Sequence, residues 1–92
     1  MGASPALKLR PEDVAQRLLD FVNTGLGLLP GRAVGADDAL EAAGVDSLAF
    51  LKVLLFIETE FGFWVPDQDL VDENIATVST LARYISRRGP HA

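Results

Sequence analysis

Residues 44–61 read GVDSLAFLKVLLFIETEF, and the way this stretch folds decides how the rest of the chain must be arranged. Its apolar side chains do not alternate, as they would in a half-buried strand. From Leu48 onward they cover most of a helical wheel and leave a narrow polar strip of Lys52, Thr59 and Glu60 beside Ala49. Ser47 stands where an N-cap belongs, because its hydroxyl can accept a bond from an amide N–H two or three residues on. Gly62 stands where a left-handed residue closes a helix. The expectation is a helix of about four turns, buried along much of its surface, with a serine hydroxyl at its positive end.

The 92 residues leave room for one domain with a modest core. An apolar content of 49% and a charged fraction of 23% are those of a folded chain rather than a disordered one. With no cysteine, disulfides, thiolate metal sites and thiol nucleophiles are all excluded, which agrees with a cytoplasmic setting. The longest apolar run, interrupted by Lys52, is about half the ~20 residues that span a bilayer, and the N-terminus lacks a secretory pattern. Net charge is −5 but unevenly spread: residues 33–82 hold ten acids against a single base, Lys52. An acidic middle argues against nucleic acid and anionic membranes and suits partners with basic docking patches.

Working outward, residues 1–8 are rich in small side chains and are expected to form a mobile lead-in. Pro11, Glu12 and Asp13 suit a first helical turn. Val14, Leu18, Phe21 and Val22 then recur at helical spacing, with Ala15 and Leu19 widening the stripe, so a helix is predicted over about 11–24, ended by Gly25 and Gly27. The following loop, broken by Pro30, Gly31, Gly35 and Gly44, has Leu26, Leu28, Leu29, Val34 and Leu40 to pin it to the helices, and Asp37 or Asp38 is placed to start a helical turn. After the central helix, residues 63–66 read as extended chain ahead of Pro66. Residues 67–73 read as a short helical turn held by Leu70 and Val71. Thr77 caps a last helix with Val78, Leu81, Ala82 and Ile85 on one face and Arg83, Arg87 and Arg88 near its end. The sum is all-α: a four-helix bundle of three main helices and one short one, with a long loop between helices 1 and 2.

Catalytic groupings are absent from this pattern. The only histidine, His91, lies past a Gly-Pro break and cannot serve Ser47 without the tail folding back. Asp67, Asp69, Asp72 and Glu73 lack the spacing of a calcium loop, and the glycines at 25, 27, 31 and 35 lack the Lys-Ser or Lys-Thr that completes a phosphate loop. Trp64, beside a core segment, reads as packing. An Asp-Ser-Leu ahead of an apolar helix is, by itself, an ordinary helix cap.

The context of that serine says more. Gly44-Val45-Asp46-Ser47-Leu48, Phe61 fourteen residues after the serine, Val65-Pro66-Asp67, Thr77-Val78 and Leu81-Ala82-Arg83-Tyr84-Ile85 together resemble the acyl carrier proteins over residues 12–85. The resemblance implies a carrier domain over residues 9–88, with residues 89–92 as a tail. It also implies that the chain is not an enzyme. In that family a phosphopantetheinyl transferase moves 4′-phosphopantetheine from coenzyme A to the serine of this motif, and the thiol of the arm holds an acyl or aminoacyl group as a thioester. Ser47 matches that serine. Asp46 matches the acid of the motif, whose expected part is to hold the metal or basic groups of the transferase during loading.

Partner recognition is expected along Leu48, Lys52, Leu55 and Thr59, spaced as one stripe leading away from Ser47, with Phe56 beside them; Phe50, Val53, Leu54, Ile57 and Phe61 are assigned to the core. Ala49, Lys52, Phe56 and Thr59 occupy positions that are often acidic in the fatty-acid-synthase type of carrier. The departure implies more apolar docking and puts borrowed partners in doubt. The expected partners are acyl-activating, ketosynthase or acyltransferase-type enzymes, and the expected state is a monomer, with self-association over Leu48, Leu55 and Phe56 as the alternative. Aminoacyl or peptidyl carriers resemble a Gly-Gly-Asp-Ser motif, whereas Val45 stands at the second glycine here, so acyl cargo is favoured over aminoacyl cargo. A carrier-like interaction module that is never loaded is the third reading. Richness in Ala, Gly and Arg fits a discrete bacterial carrier of fatty acid, polyketide or other specialised metabolism.

Overall fold

A computed structural model describes residues 10–26 and 33–88. Helices α1 (Pro11–Gly25), α2 (Ser47–Phe61), α3 (Asp72–Ile75) and α4 (Val78–Arg88) follow in that order, with a single 3-10 turn at Asp67–Asp69 and no strand among the described residues. This is the all-α bundle the sequence implies. The N-terminal segment 1–8, the tail 89–92 and the expected pins Leu28 and Leu29 lie outside the described residues.

Helix α1 starts at Pro11, whose missing N–H is no loss at a first helical position, and the Arg10 carbonyl accepts from the amides of Asp13 and Val14 at 3.0 Å. Its stripe of Val14, Leu18 and Val22 is fully buried. Helix α2 closes at Gly62, whose φ of +70° is the left-handed conformation expected there and whose N–H donates to the Glu58 carbonyl at 2.9 Å. Helix α4 is capped reciprocally: the Thr80 amide donates to Thr77 Oγ1 at 3.0 Å and the Thr77 amide to Thr80 Oγ1 at 3.1 Å. These helices enclose one core in which Leu18, Ile57, Leu81 and Ile85 are the largest fully buried side chains.

The loop between α1 and α2 is tied down where it is described. The side-chain amide of Asn23 makes a two-way clasp with Val34, accepting from its N–H at 2.7 Å and donating to its carbonyl at 3.2 Å. Further on, the Leu40 amide donates to the Ala76 carbonyl and the Ser79 amide to the Ala36 carbonyl, both at 2.9 Å, so the loop is stitched to the start of α4. Val34 and Leu40 are buried pins, as expected. A tight turn over residues 35–38 is closed by the Asp38 amide on the Gly35 carbonyl at 3.2 Å and by the Gly35 amide on the Asp38 carboxylate at 2.8 Å; further turns follow over residues 40–44, and the helical turn expected from Asp37 or Asp38 does not form.

Burial departs from the sequence reading after α2: Trp64, read as packing, is 44% exposed. Val71 is exposed, because it precedes α3 instead of sitting within a helical turn, while Leu70 is half-buried. Tyr84, unassigned by the sequence pattern, is buried, its ring beside Phe63 at 5.8 Å and its hydroxyl donating to the Asp69 carboxylate, which holds the 3-10 turn against α4. Burial, followed by the hydrogen bond to Asp69, raises the Tyr84 phenol from 10.0 to about 12. The neutral phenol is thus favoured by folding. That contribution is complete below pH 10 and is lost as pH rises toward 12. Because Tyr84 is the only tyrosine, tyrosinate absorbance should titrate near 12 in the folded protein, and Tyr84→Phe should flatten the alkaline fall in melting temperature. A midpoint near 10 with the fold intact would contradict this account of the Tyr84 contact.

Candidate functional site

The chain enters α2 through a constrained approach. Gly44 has a φ of +100°, which lets the turn reverse sharply; Val45 is buried and its N–H donates to the Leu40 carbonyl at 3.0 Å. Asp46 follows in extended conformation and is the N-cap: its Oδ1 accepts from the Ala49 N–H at 2.9 Å, and its carbonyl from the Phe50 N–H at 2.8 Å. This corrects the expectation that Ser47 is the cap. An aspartate one residue earlier has the same reach and carries the charge that the helix dipole favours, so it takes the role and Ser47 becomes the first helical residue.

Relieved of capping, Ser47 is exposed. Its hydroxyl lies at the end of a 15-residue helix where the first amide N–H groups have no partner within the helix and the dipole is positive. A phosphodiester formed on that oxygen would meet both, which is the chemistry of an anion site at a helix N-terminus. The residues present therefore fit the anchorage of a phosphate-linked arm.

Down the outer side of α2, Leu48 (64% exposed), Leu51 (45%) and Leu55 (47%) form an apolar row, with Lys52 and Thr59 exposed beside it. Leu51 was missed in the sequence, although its spacing of three from Leu48 and four from Leu55 is the signal that places it there. Phe56 does not belong to this exposed row. It is half-buried, stacked on Phe21 of α1 with centroids 4.4 Å apart and edge-on to Phe61 at 6.1 Å. The Arg17–Glu60 ion pair lies between the same two helices. Val53, Leu54, Ile57 and Phe61 are buried as assigned, whereas Phe50 is only half-buried. Phe50 lines an open cleft of about 650 Å³ that Ser47 also borders, between the turn after Leu40, the start of α2, and α3. Its position three residues after Ser47, on the same side of the helix, was the available clue.

Residues 16–85 match the family described as the phosphopantetheine attachment site. The chain belongs to the acyl carrier protein family. It is 34% identical to an acyl carrier protein of Zymomonas mobilis over 79% of this chain and 91% of that one. It is also 31% identical to aminoacyl carrier protein 1 of Bradyrhizobium diazoefficiens over 79% of this chain and 82% of that one. A chain in the crystal structure of a Bradyrhizobium japonicum glycine:[carrier protein] ligase complexed with glycylated carrier protein shares the fold. Its TM-score is 0.62 at 22% identity, covering 79% of this chain and 95% of that chain. As an acyl carrier protein the chain is not an enzyme, and its cofactor is 4′-phosphopantetheine.

The Asp46 cap separates two roles of one side chain. Asn caps a helix about as well as Asp, whereas Ala costs about 1 kcal/mol. Asp46→Asn should therefore hold its denaturant midpoint close to the parent while Asp46→Ala falls below both; equal loss in the two variants would show that charge, and not the hydrogen bond to Ala49, stabilises this end of α2.

Proposed function

We propose that Ser47 is the residue of this carrier that takes the phosphopantetheine arm, and that the cargo is an acyl group held as a thioester and presented to biosynthetic enzymes of a bacterial fatty acid, polyketide or other specialised-metabolite pathway in the cytoplasm. The observation that carries the reading is the exposed Ser47 hydroxyl at the first position of α2, with Asp46 rather than Ser47 spent on the cap. The arm supplies the thiol that a chain without cysteine lacks. The protein's own part is to anchor the arm at a rigid, electropositive helix end and to bring the tethered group to each enzyme at high effective concentration.

Asp46 has a second task in this reading. Its carboxylate, exposed next to Ser47, offers an acceptor to the metal or basic groups of the phosphopantetheinyl transferase. The exposed row of Leu48, Lys52, Leu55 and Thr59, extended by Leu51, is the surface on which acyl-activating, ketosynthase or acyltransferase-type enzymes dock, and the chain acts as a monomer. Among the described residues no helix is long and apolar enough to cross a membrane. The aminoacyl alternative keeps one specific support, the 31% identity to an aminoacyl carrier protein. Against it stands Val45, a buried side chain where that type of motif has glycine.

Incubation with coenzyme A and a broad-specificity phosphopantetheinyl transferase should raise the intact mass by one phosphopantetheine, and Ser47→Ala should abolish the gain while leaving the helical circular dichroism unchanged. A protein that folds but stays bare would instead be an unloaded interaction module. Leu55→Glu, at an exposed position, should shift stability by no more than about 0.5 kcal/mol and leave loading intact while slowing transfer to a downstream enzyme; unfolding of this variant would return Leu55 to the core.

A further inference from the structure

The chain after α2 turns a tryptophan outward at the end of the helix away from Ser47. Helix α2 spans about 22 Å from Ser47 to Phe61, and residues 63–66 continue as extended backbone, which sends alternate side chains to opposite sides. Val65 is fully buried and the Phe63 ring lies against Tyr84 of α4, so Trp64 between them is left exposed. Helix α4 begins beside the Ser47 cleft, where the Leu40 and Ser79 amides donate to the Ala76 and Ala36 carbonyls. It then runs away from the cleft toward the contacts of Tyr84 and Arg88 with Asp69. Its outer edge carries Arg83 and Arg87, one turn apart and both exposed. Tyr84 lies between these two in the helix, so the Phe63–Tyr84 contact sets Trp64 next to that edge. Among the described residues the ion pairs are Arg10–Glu12, Arg17–Glu60 and Arg88–Asp69, which leaves Arg83 and Arg87 without a carboxylate. We propose that Trp64 and this arginine edge form a second docking surface, separate from the row on α2 and fitted to an acidic helical segment of a partner protein.

Charge and spacing select that partner. The helix dipole favours Arg87 in the last turn but gives no reason for Arg83, which lies a turn earlier and repels Arg87 at i, i+4. A carboxylate opposite each turns that repulsion into attraction. Glutamates one turn apart on a partner helix repeat the same spacing, and a guanidinium fork takes each carboxylate through two parallel hydrogen bonds. Trp64 adds a flat apolar anchor, and Trp and Arg are among the residue types that most often dominate interface energies. An anionic bilayer shares the sign but not the size. Being flat and wide, it would also meet Asp67, three residues past Trp64, and the acids beyond, whereas a partner helix is only about 10 Å across. The carboxylates of the Ser47 cleft lie toward the other end of α4, which is about 16 Å long, and physiological salt screens charge over ~8 Å. A partner held here leaves Ser47 and the α2 row open, so it keeps the carrier in place without competing for the arm. The inference goes beyond the carrier reading and does not depend on the loading of Ser47.

Trp64 is the only tryptophan, so its fluorescence reports this surface directly. The probe is a synthetic helical peptide of about four turns with glutamates at i, i+4 along one edge and leucines beside them. Its control is the same peptide with lysines in place of the glutamates. Titrated into the full chain, the glutamate peptide should shift Trp64 emission and move the resonances of Trp64, Arg83 and Arg87, while those of Leu48, Leu51 and Leu55 stay in place. Binding should weaken as salt is added, and the Arg83→Gln/Arg87→Gln variant, its fold checked by circular dichroism, should bind more weakly by a factor on the order of tenfold. With the peptide bound, a phosphopantetheinyl transferase should load Ser47 at an unchanged rate. The proposal is overturned by an absent response to the glutamate peptide, by an equal response to the lysine peptide, or by affinity unchanged in the double variant. Shifts gathered on the α2 row, or loading blocked by the peptide, overturn it as well. Phosphatidylglycerol vesicles that shift Trp64 where the peptide does not would assign the surface to a membrane, and a shift that grows with protein concentration alone would assign it to a second copy of the chain. A protein that is never loaded, with or without peptide, counts against the carrier reading and leaves the fluorescence titration to decide this one.

Discussion

The hydrogen bond from the Ala49 amide to the Asp46 carboxylate decides how the neighbouring Ser47 is presented. A helix needs its first amides satisfied, and Ser and Asp are both good at it. When the acid takes that role the serine moves to the first helical position, where it is exposed and borders the cleft. The arrangement also keeps negative charge at the dipole's positive end. One hydrogen bond thus links local helix chemistry to the exposure of Ser47.

The position of that helix end depends on packing some distance away. Val45 is buried and bonded to Leu40; Leu40 is bonded to Ala76; Ala36 is bonded to Ser79 of α4. The Asn23 clasp on Val34 ties the same loop to α1. Through these ties the start of α2 is held by the loop and by both α1 and α4, while the body of α2 is held by Val53, Leu54, Ile57 and Phe61 in the common core and by the Phe56–Phe21 stack. Burial of one face leaves the other outside, and Leu48, Leu51 and Leu55 are exposed there. The Tyr84–Asp69 contact does for the chain after α2 what the Asn23 clasp does for the chain before it.

Much of this was legible in the sequence, because periodicity and capping chemistry are local. The stripe of Val14, Leu18 and Val22, the left-handed Gly62 and the Thr77 cap each follow from residue type and spacing alone. The misreadings occur where two residues compete or where tertiary neighbours decide. Ser47 and Asp46 were both acceptable caps, and only the register of the helix start chooses between them. Phe56 sat on the wheel next to exposed positions, yet Phe21 of α1 covers it. Tyr84 was hidden by its polar hydroxyl until Asp69 supplied a partner, and the cleft beside Ser47 depends on where α3 lies, which no local pattern encodes.

The central claim is that the Ser47 oxygen, presented at the positive end of α2, anchors the arm in the living cell. Peptide-mapping mass spectrometry of the protein purified from its native host tests it most directly, since fragmentation reports the modified residue, the arm and its passenger together. The account predicts one phosphopantetheine on the peptide containing Ser47, bearing an acyl group on its thiol. A bare Ser47 in protein recovered from active cells, or the same group attached to any other residue, would contradict it.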